Sequence, residues 1–240
     1  NVWVAVTVGL IVGTAAGLVN GALIAYVGVS PIVTTLGTMT LYRGLSLGIT
    51  DGRNLGGFPA SFTELGQGVT LEVPTQVWIL AAMVAVVALI LGRTVVGRWM
   101  YAMGGNPEAS RLSGIPVRRM TLLVYSSAGF LAAMGGVIAA SRFNTSRSDF
   151  ATAGEFDAIT AAILGGVSIA GGRGKVSGAV IGAMIIAVLR NGLTLRGFSG
   201  FVQIVAIGFI LLGAAVVDRV LVARRTTHEV ASQLREGGDD

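Results

Sequence analysis

The first 27 residues contain no charged side chain. A hydrocarbon core of about 30 Å is crossed by about 20 helical residues. In lipid only a helix or a closed barrel satisfies its own backbone. The opening run is therefore read as a membrane-spanning helix, and it constrains everything after it. Further apolar runs follow at 32–49, 76–91, 120–140, 177–189 and 198–217, with a shorter one at 158–170. The expected fold class is all-α, a polytopic integral membrane helical bundle. Composition agrees, with 53% apolar and 12% charged residues where soluble domains carry roughly 25% charge. Gly9, Gly13, Gly17 and Gly21 recur every four residues, on one helical face. Small residues in that pattern favour close helix packing.

Charge in the connecting segments sets the topology. Residues 92–119 hold five Arg and one Glu, whereas 51–73 hold one Arg and three acids. By the positive-inside rule the former segment is cytoplasmic and the latter external. Residues 141–157, with two Arg and three acids, are read as external. Arg219, Arg224 and Arg225 place the end of the last span, and the C-terminus, in the cytoplasm. Between an external residue 150 and an internal residue 220 the number of crossings is odd. Three crossings fit if 158–170 is a short or broken span. The total is seven, one irregular, with Asn1 outside. Asn1 precedes an apolar run with no charged n-region or cleavage site, so more chain is expected upstream. Residues 1–225 are assigned to one transmembrane domain. Residues 226–240, mixed in charge and holding the lone His228, are read as a disordered tail. Arg43 is either an intramembrane functional charge or a side chain that snorkels to the headgroups.

One polar stretch, residues 101–119, stands out between the spans. Asn106 suits an N-cap, Pro107 the first helical position, and Glu108 the positive end of the helix dipole. Gly114 fits a left-handed C-terminal cap, and Pro116 bars continuation. About two helical turns result, too few to persist alone in water. Such a helix needs a surface to dock on. Glu108, Arg111 and Leu112 fall near one face.

Gly-Gly-Asn106-Pro-Glu-Ala109-Ser-Arg-Leu-Ser-Gly114-Ile resembles the cytoplasmic coupling loop of ABC importer permeases. It is most similar to the ribose/xylose/galactose class of monosaccharide permeases, within the branched-chain amino acid permease-related superfamily. Glu155-Phe-Asp157-Ala-Ile-Thr-Ala-Ala-Ile-Leu-Gly165-Gly-Val-Ser-Ile-Ala-Gly171-Gly-Arg-Gly174-Lys matches a second block. Pro31-Ile-Val-Thr-Thr-Leu-Gly-Thr-Met-Thr-Leu-Tyr-Arg43-Gly resembles an earlier signature. The resemblance covers about residues 17–218. It implies a bacterial cytoplasmic (inner) membrane protein with further helices before Asn1. It also implies a second permease copy (a homodimer), a partner ATP-binding cassette ATPase and an extracytoplasmic substrate-binding protein. Asn106, Glu108, Ala109, Arg111, Leu112, Ser113, Gly114 and Ile115 are its ATPase-coupling candidates.

The residues themselves show no enzyme constellation. Gly171-Gly-Arg-Gly-Lys175 lacks the spacing of a phosphate-binding loop, since Val176 follows Lys175. It is read as a tight turn between membrane segments. No metal, cofactor or nucleic acid is expected, and membrane lipid is the surrounding partner. A weak repeat links Gly17-Leu-Val-Asn-Gly21-Ala with Gly178-Ala-Val-Ile-Gly182-Ala; repeated halves are common in transporters. Uncharged polar groups in the spans, which suit a neutral polyol, are the translocation-path candidates: Asn20, Thr34, Thr35, Thr38, Thr160, Asn191 and Gln203, with Asp157 at a span edge. Each equally suits bonding to a neighbouring helix. A branched-chain amino acid or nucleoside importer permease, and a secondary transporter or channel subunit, are the alternatives.

The topology gives a direct expectation. In this cysteine-free chain, Gly56→Cys reacts with an impermeant thiol reagent on intact cells. Arg119→Cys reacts only after the membrane is opened. Labelling of residue 119 from outside overturns the assignment.

Overall fold

The computed structural model describes residues 1–147 and 154–216. The expected tail at 226–240, the domain boundary before it, and the cytoplasmic arginines Arg219, Arg224 and Arg225 lie outside the described residues, as does part of the 141–157 loop. The chain divides into two compact units, Asn1–Phe150 and Ala151–Asp240.

The described residues are overwhelmingly helical, an all-α membrane architecture. In the first unit α1 (Val2–Ala22) runs on as a π-helical turn, Leu23–Val27, before α2 (Pro31–Thr50). A short ribbon, β1 (Leu55–Gly56), precedes α3 (Ala60–Gln67). β2 (Val69–Thr70) and β3 (Val73–Pro74) lead into α4 (Thr75–Arg93). Next come α5 (Val95–Gly105), α6 (Pro107–Leu112), α7 (Val117–Phe143) and β4 (Thr145–Ser146). The second unit holds α8 (Gly154–Leu164), α9 (Val176–Leu195) and α10 (Gly200–Val216).

Val2–Val27, α4, α7 and α9 are long and apolar enough to cross a membrane. α2 is of similar length, but its threonines and Arg43 make it more polar. Arg43 lies inside α2, half-buried, about two turns from its end. The short run at 158–170 is not a single helix. α8 starts earlier, so that Asp157 is helical, and ends at Leu164.

α1 and α7 form the spine of the first unit. A side chain on Gly17 would strike the Tyr125 carbonyl oxygen, and one on Gly129 would strike the Gly13 carbonyl oxygen. Gly21 faces Leu122 and Tyr125. Three of the four glycines picked out by spacing thus serve this seam, while Gly9 has open space beside it. α2 is tied back to α1 by Tyr42, whose hydroxyl donates to the Ala16 carbonyl at 3.1 Å.

The 51–73 segment is more structured than a plain loop. β1 pairs antiparallel with β4, Leu55 opposite Ser146 and Gly56 opposite Thr145. The two segments assigned to one side by their charge therefore meet. α3 is fastened to the end of α7 by Ser141, which is fully buried. The Ser141 hydroxyl donates to the Phe62 carbonyl at 2.6 Å and accepts from the Gly66 N–H at 2.8 Å. Those two groups stand in the i, i−4 relation of an α-helix, so the hydroxyl is inserted at the ladder of α3. A side chain on Gly66 would collide with the α7 backbone at Arg142. This helix is invisible to apolar periodicity because its stability comes from α7.

Removing a buried partner costs about 1–3 kcal/mol. Ser141→Ala is expected to speed amide hydrogen exchange of residues 60–67 by about tenfold to a hundredfold. Exchange by mass spectrometry on detergent-solubilised protein reads this directly; unchanged protection means that Ser141 does not hold α3.

Candidate functional site

The segment between α4 and α7 is built as a bracket. α4 ends at an elbow, where the Thr94 hydroxyl donates to the Ile90 carbonyl at 2.6 Å and accepts from the Gly97 N–H at 3.2 Å. Gly97 is buried against the Ile90 and Leu91 carbonyls, too close for any side chain. From there α5 runs to Gly105, and the Thr121 hydroxyl on α7 lies 3.9 Å from the Met103 sulfur. Sequence reasoning missed α5. Its signals were the Thr94 cap and the helical spacing of Val96, Trp99, Met100 and Met103.

α6 is then set on this base. Asn106 Oδ1 accepts from the Ala109 N–H at 3.0 Å. Pro107 occupies the first helical position. At the other end Gly114 takes φ 81°, a backbone conformation that costs glycine nothing. The Ile115 N–H reaches the Ser110 carbonyl at 3.0 Å, and the Gly114 N–H reaches the Arg111 carbonyl at 3.1 Å. This pair of bonds is a Schellman closure. The Ser113 N–H and hydroxyl both donate to the Ala109 carbonyl, at 3.0 and 2.9 Å. Ser110 is buried beneath the helix.

The coupling candidates sort accordingly. Asn106, Ala109, Ser113, Gly114 and Ile115 hold the short helix in shape. Glu108, Arg111 and Leu112 face outward. Arg111 Nη2 sits 2.7 Å from Glu108 Oε1, with both side chains about two-thirds exposed. Such a pair contributes little to stability, so it neutralises its own charge and leaves the surface to Leu112. That leucine is 81% exposed, on a segment braced at both ends.

The path candidates of the first unit are Asn20 on α1 and three threonines on α2. Thr34 and Thr38 are buried. The Thr38 hydroxyl donates to the Thr34 carbonyl at 2.9 Å, and the Thr35 hydroxyl to the Pro31 carbonyl at 2.9 Å. Both are thereby spent on their own helix. Thr34 Oγ1 and Asn20 Oδ1 are buried with no hydrogen-bond partner.

In the second unit α8 and α9 meet through glycine. Side chains on Gly165 or Gly182 would strike the Gly178 or Ala161 carbonyls. The two halves of the weak repeat thus share one use, close approach of helices. α8 stops with the same closure as α6: the Val167 N–H bonds the Ala162 carbonyl, the Gly166 N–H bonds the Ile163 carbonyl, and Gly166 has φ 80°. The glycine segment then turns back, with the Ser168 N–H on the Arg173 carbonyl at 3.0 Å. Thr160 is fully buried and donates to the Phe156 carbonyl at 2.6 Å. Gln203 Nε2 donates to Thr194 Oγ1 at 3.1 Å, linking α10 to the end of α9. Asn191 is exposed. Arg190 Nη2 lies 2.6 and 2.8 Å from the two carboxylate oxygens of Asp157. This ion pair borders a cavity of about 280 Å³ between α8, α9 and α10. Sequence reasoning chose Asp157 but did not pair it with Arg190, 33 residues away.

Residues 1–215 match the model of the branched-chain amino acid transport system / permease component family. The ribose import permease protein RbsC of Haemophilus influenzae is 37% identical over 228 residues, covering 93% of this chain and 71% of that protein. The Escherichia coli RbsC is 40% identical over 222 residues, covering 91% and 69%. The L-arabinose transport system permease protein AraH of Escherichia coli is 38% identical over 219 residues, covering 91% and 67%. No solved structure matches this chain. A match over nearly the whole described length, on a framework of membrane-crossing helices, identifies the chain as a member of the branched-chain amino acid transport system permease-component family of multi-pass membrane transport proteins.

Proposed function

We propose that the chain is the permease subunit of an ATP-driven importer that moves a monosaccharide or similar small polyol across the bacterial cytoplasmic membrane. The observation that carries the substrate class is the likeness, over nine-tenths of this chain, to permeases named for ribose and arabinose. The chain itself offers no nucleotide-binding loop, so the work comes from a partner ATPase docked on the cytoplasmic side. A substrate-binding protein delivers the sugar at the outer face, and a second permease copy completes the pathway.

Residues 106–115 transmit the ATPase stroke. Support comes from the way the bracket is built: a rigid two-ended brace presents one bare apolar side chain, Leu112, beside a self-neutralised ion pair. A groove that takes Leu112 gains apolar burial without having to desolvate a lone charge. In the translocation path Asp157, Asn191 and Thr34 retain polar atoms beyond those spent on their own helices. Thr35, Thr38, Thr160 and Gln203 shape the helices that carry them.

Replacing Glu108→Arg and Leu112→Asp together leaves membrane insertion intact, since neither side chain is buried in the chain. The replacement puts a charged group where an apolar one docks and removes the Glu108–Arg111 pair. In proteoliposomes with the partner ATPase and binding protein, sugar-stimulated ATP hydrolysis and uptake are each expected to fall at least tenfold. A double variant that inserts and transports at the original rate makes 106–115 a connector only.

A further inference from the structure

The cavity beside Asp157 and Arg190 combines features that the fold does not need. Its walls are apolar, formed mainly by Ile207, Gly208 and Leu211 of α10 with Phe156 of α8. One charged pair is set into that wall. Ionisable groups within or near a membrane are costly, and a buried hydrogen-bonding group without a partner adds to that cost. Here Arg190 Nε is buried and unpartnered, while Nη2 is committed to Asp157. The pair is only partly covered, with Arg190 41% and Asp157 25% exposed.

From this geometry we infer that the cavity is a binding subsite for one hydroxylated ring, recognised through a vicinal diol. The inference rests on the sugar-permease reading above and adds the place where the sugar is held. A sugar hydroxyl both donates and accepts. One hydroxyl of the diol donates to the remaining lone pairs of the Asp157 carboxylate, and its neighbour accepts from an exposed guanidinium N–H of Arg190, whose side chain is partly open. Neither bond requires the ion pair to open. The C–H face of the ring packs on Phe156, which lines the cavity and is 52% exposed. Because the pair has no net charge, the site attracts a neutral ligand without the field that a lone ion would impose. A zwitterionic amino acid has to split the pair to use it. The volume, about 280 Å³, is near the lower end of the ~300–1,000 Å³ of small-molecule sites, which suits a single ring.

The assembled importer in phosphatidylglycerol nanodiscs, without ATP or binding protein, is titrated with D-ribose and, separately, with L-leucine. Saturation-transfer NMR reads the bound ligand. Ribose signal is expected at millimolar concentration, strongest on ring C–H protons, with none from leucine. Phe156→Ala and Asp157→Asn are expected to lower the ribose signal at least fivefold. Since a charge variant can disturb folding, Gly208→Leu supplies a second route. Gly208 lines the cavity and has no atom within 4 Å of an added Cβ, so a leucine there takes up cavity space while leaving both charged residues in place, and the same loss is expected. Val188→Ala, on exposed α9 surface, serves as the unchanged control. Ribose signal that persists in Gly208→Leu and Phe156→Ala overturns the subsite. So does signal from leucine alone, or ribose signal that appears only when phosphatidylcholine replaces phosphatidylglycerol, which assigns the cavity to a lipid headgroup. Ribose uptake by the complete wild-type importer, measured in parallel, tests the sugar-permease reading separately: uptake without binding here removes the subsite and leaves the reading standing.

Discussion

Every α-helix ends with carbonyls that have no partner inside it, and within the hydrocarbon core no water supplies one. Three helices of this chain meet that demand in one way. α6, α8 and α9 each close through a glycine with positive φ, at Gly114, Gly166 and Gly197. In each, the next residue's N–H folds back to a carbonyl five residues earlier. The closure lets the backbone leave the helix and turn sharply without exposing polar groups. It gives α6 its shape and ends α8 partway through an apolar run. An irregular segment in a membrane protein is possible only with such internal bonding.

Close backbone approach is the second shared device. In water, helices associate by hiding apolar side chains; in lipid that drive is absent, and packing decides. Glycine seams therefore recur where helices pair, Gly17 against Gly129 in the first unit and Gly178 against Gly165 in the second. Ser141 does comparable work near the end of α7. Its hydroxyl bonds both to Phe62 and to Gly66, turning an eight-residue helix into a fixed cap on the end of α7.

These devices explain which polar residues remain for function. A threonine on a membrane helix readily returns its hydroxyl to a carbonyl one turn back, as Thr38 and Thr160 do. Among the described residues, those left over include the outward face of α6, the unpartnered atoms of Asn20 and Thr34, exposed Asn191, and the Asp157–Arg190 pair at its cavity. The coupling and substrate sites proposed above are drawn from that set.

Much of this was already determined by the sequence alone. Uncharged runs of spanning length require helices, because nothing else closes its own hydrogen bonds in lipid. Asn106, Pro107 and Gly114 specify α6 locally, since each acts within one turn of itself. Glycine spacing marked the α1 face. Only the tertiary structure decided which of those glycines are used, because an open Gly9 and a crowded Gly17 look alike in a periodic pattern. It alone revealed α3, whose stability lies in Ser141 of another helix, and α5, whose apolar side needs α7 to rest on. The pairing of Asp157 with Arg190 was likewise hidden. Opposite charges 33 residues apart attract only once the glycine contacts of α8 and α9 have brought their helices together.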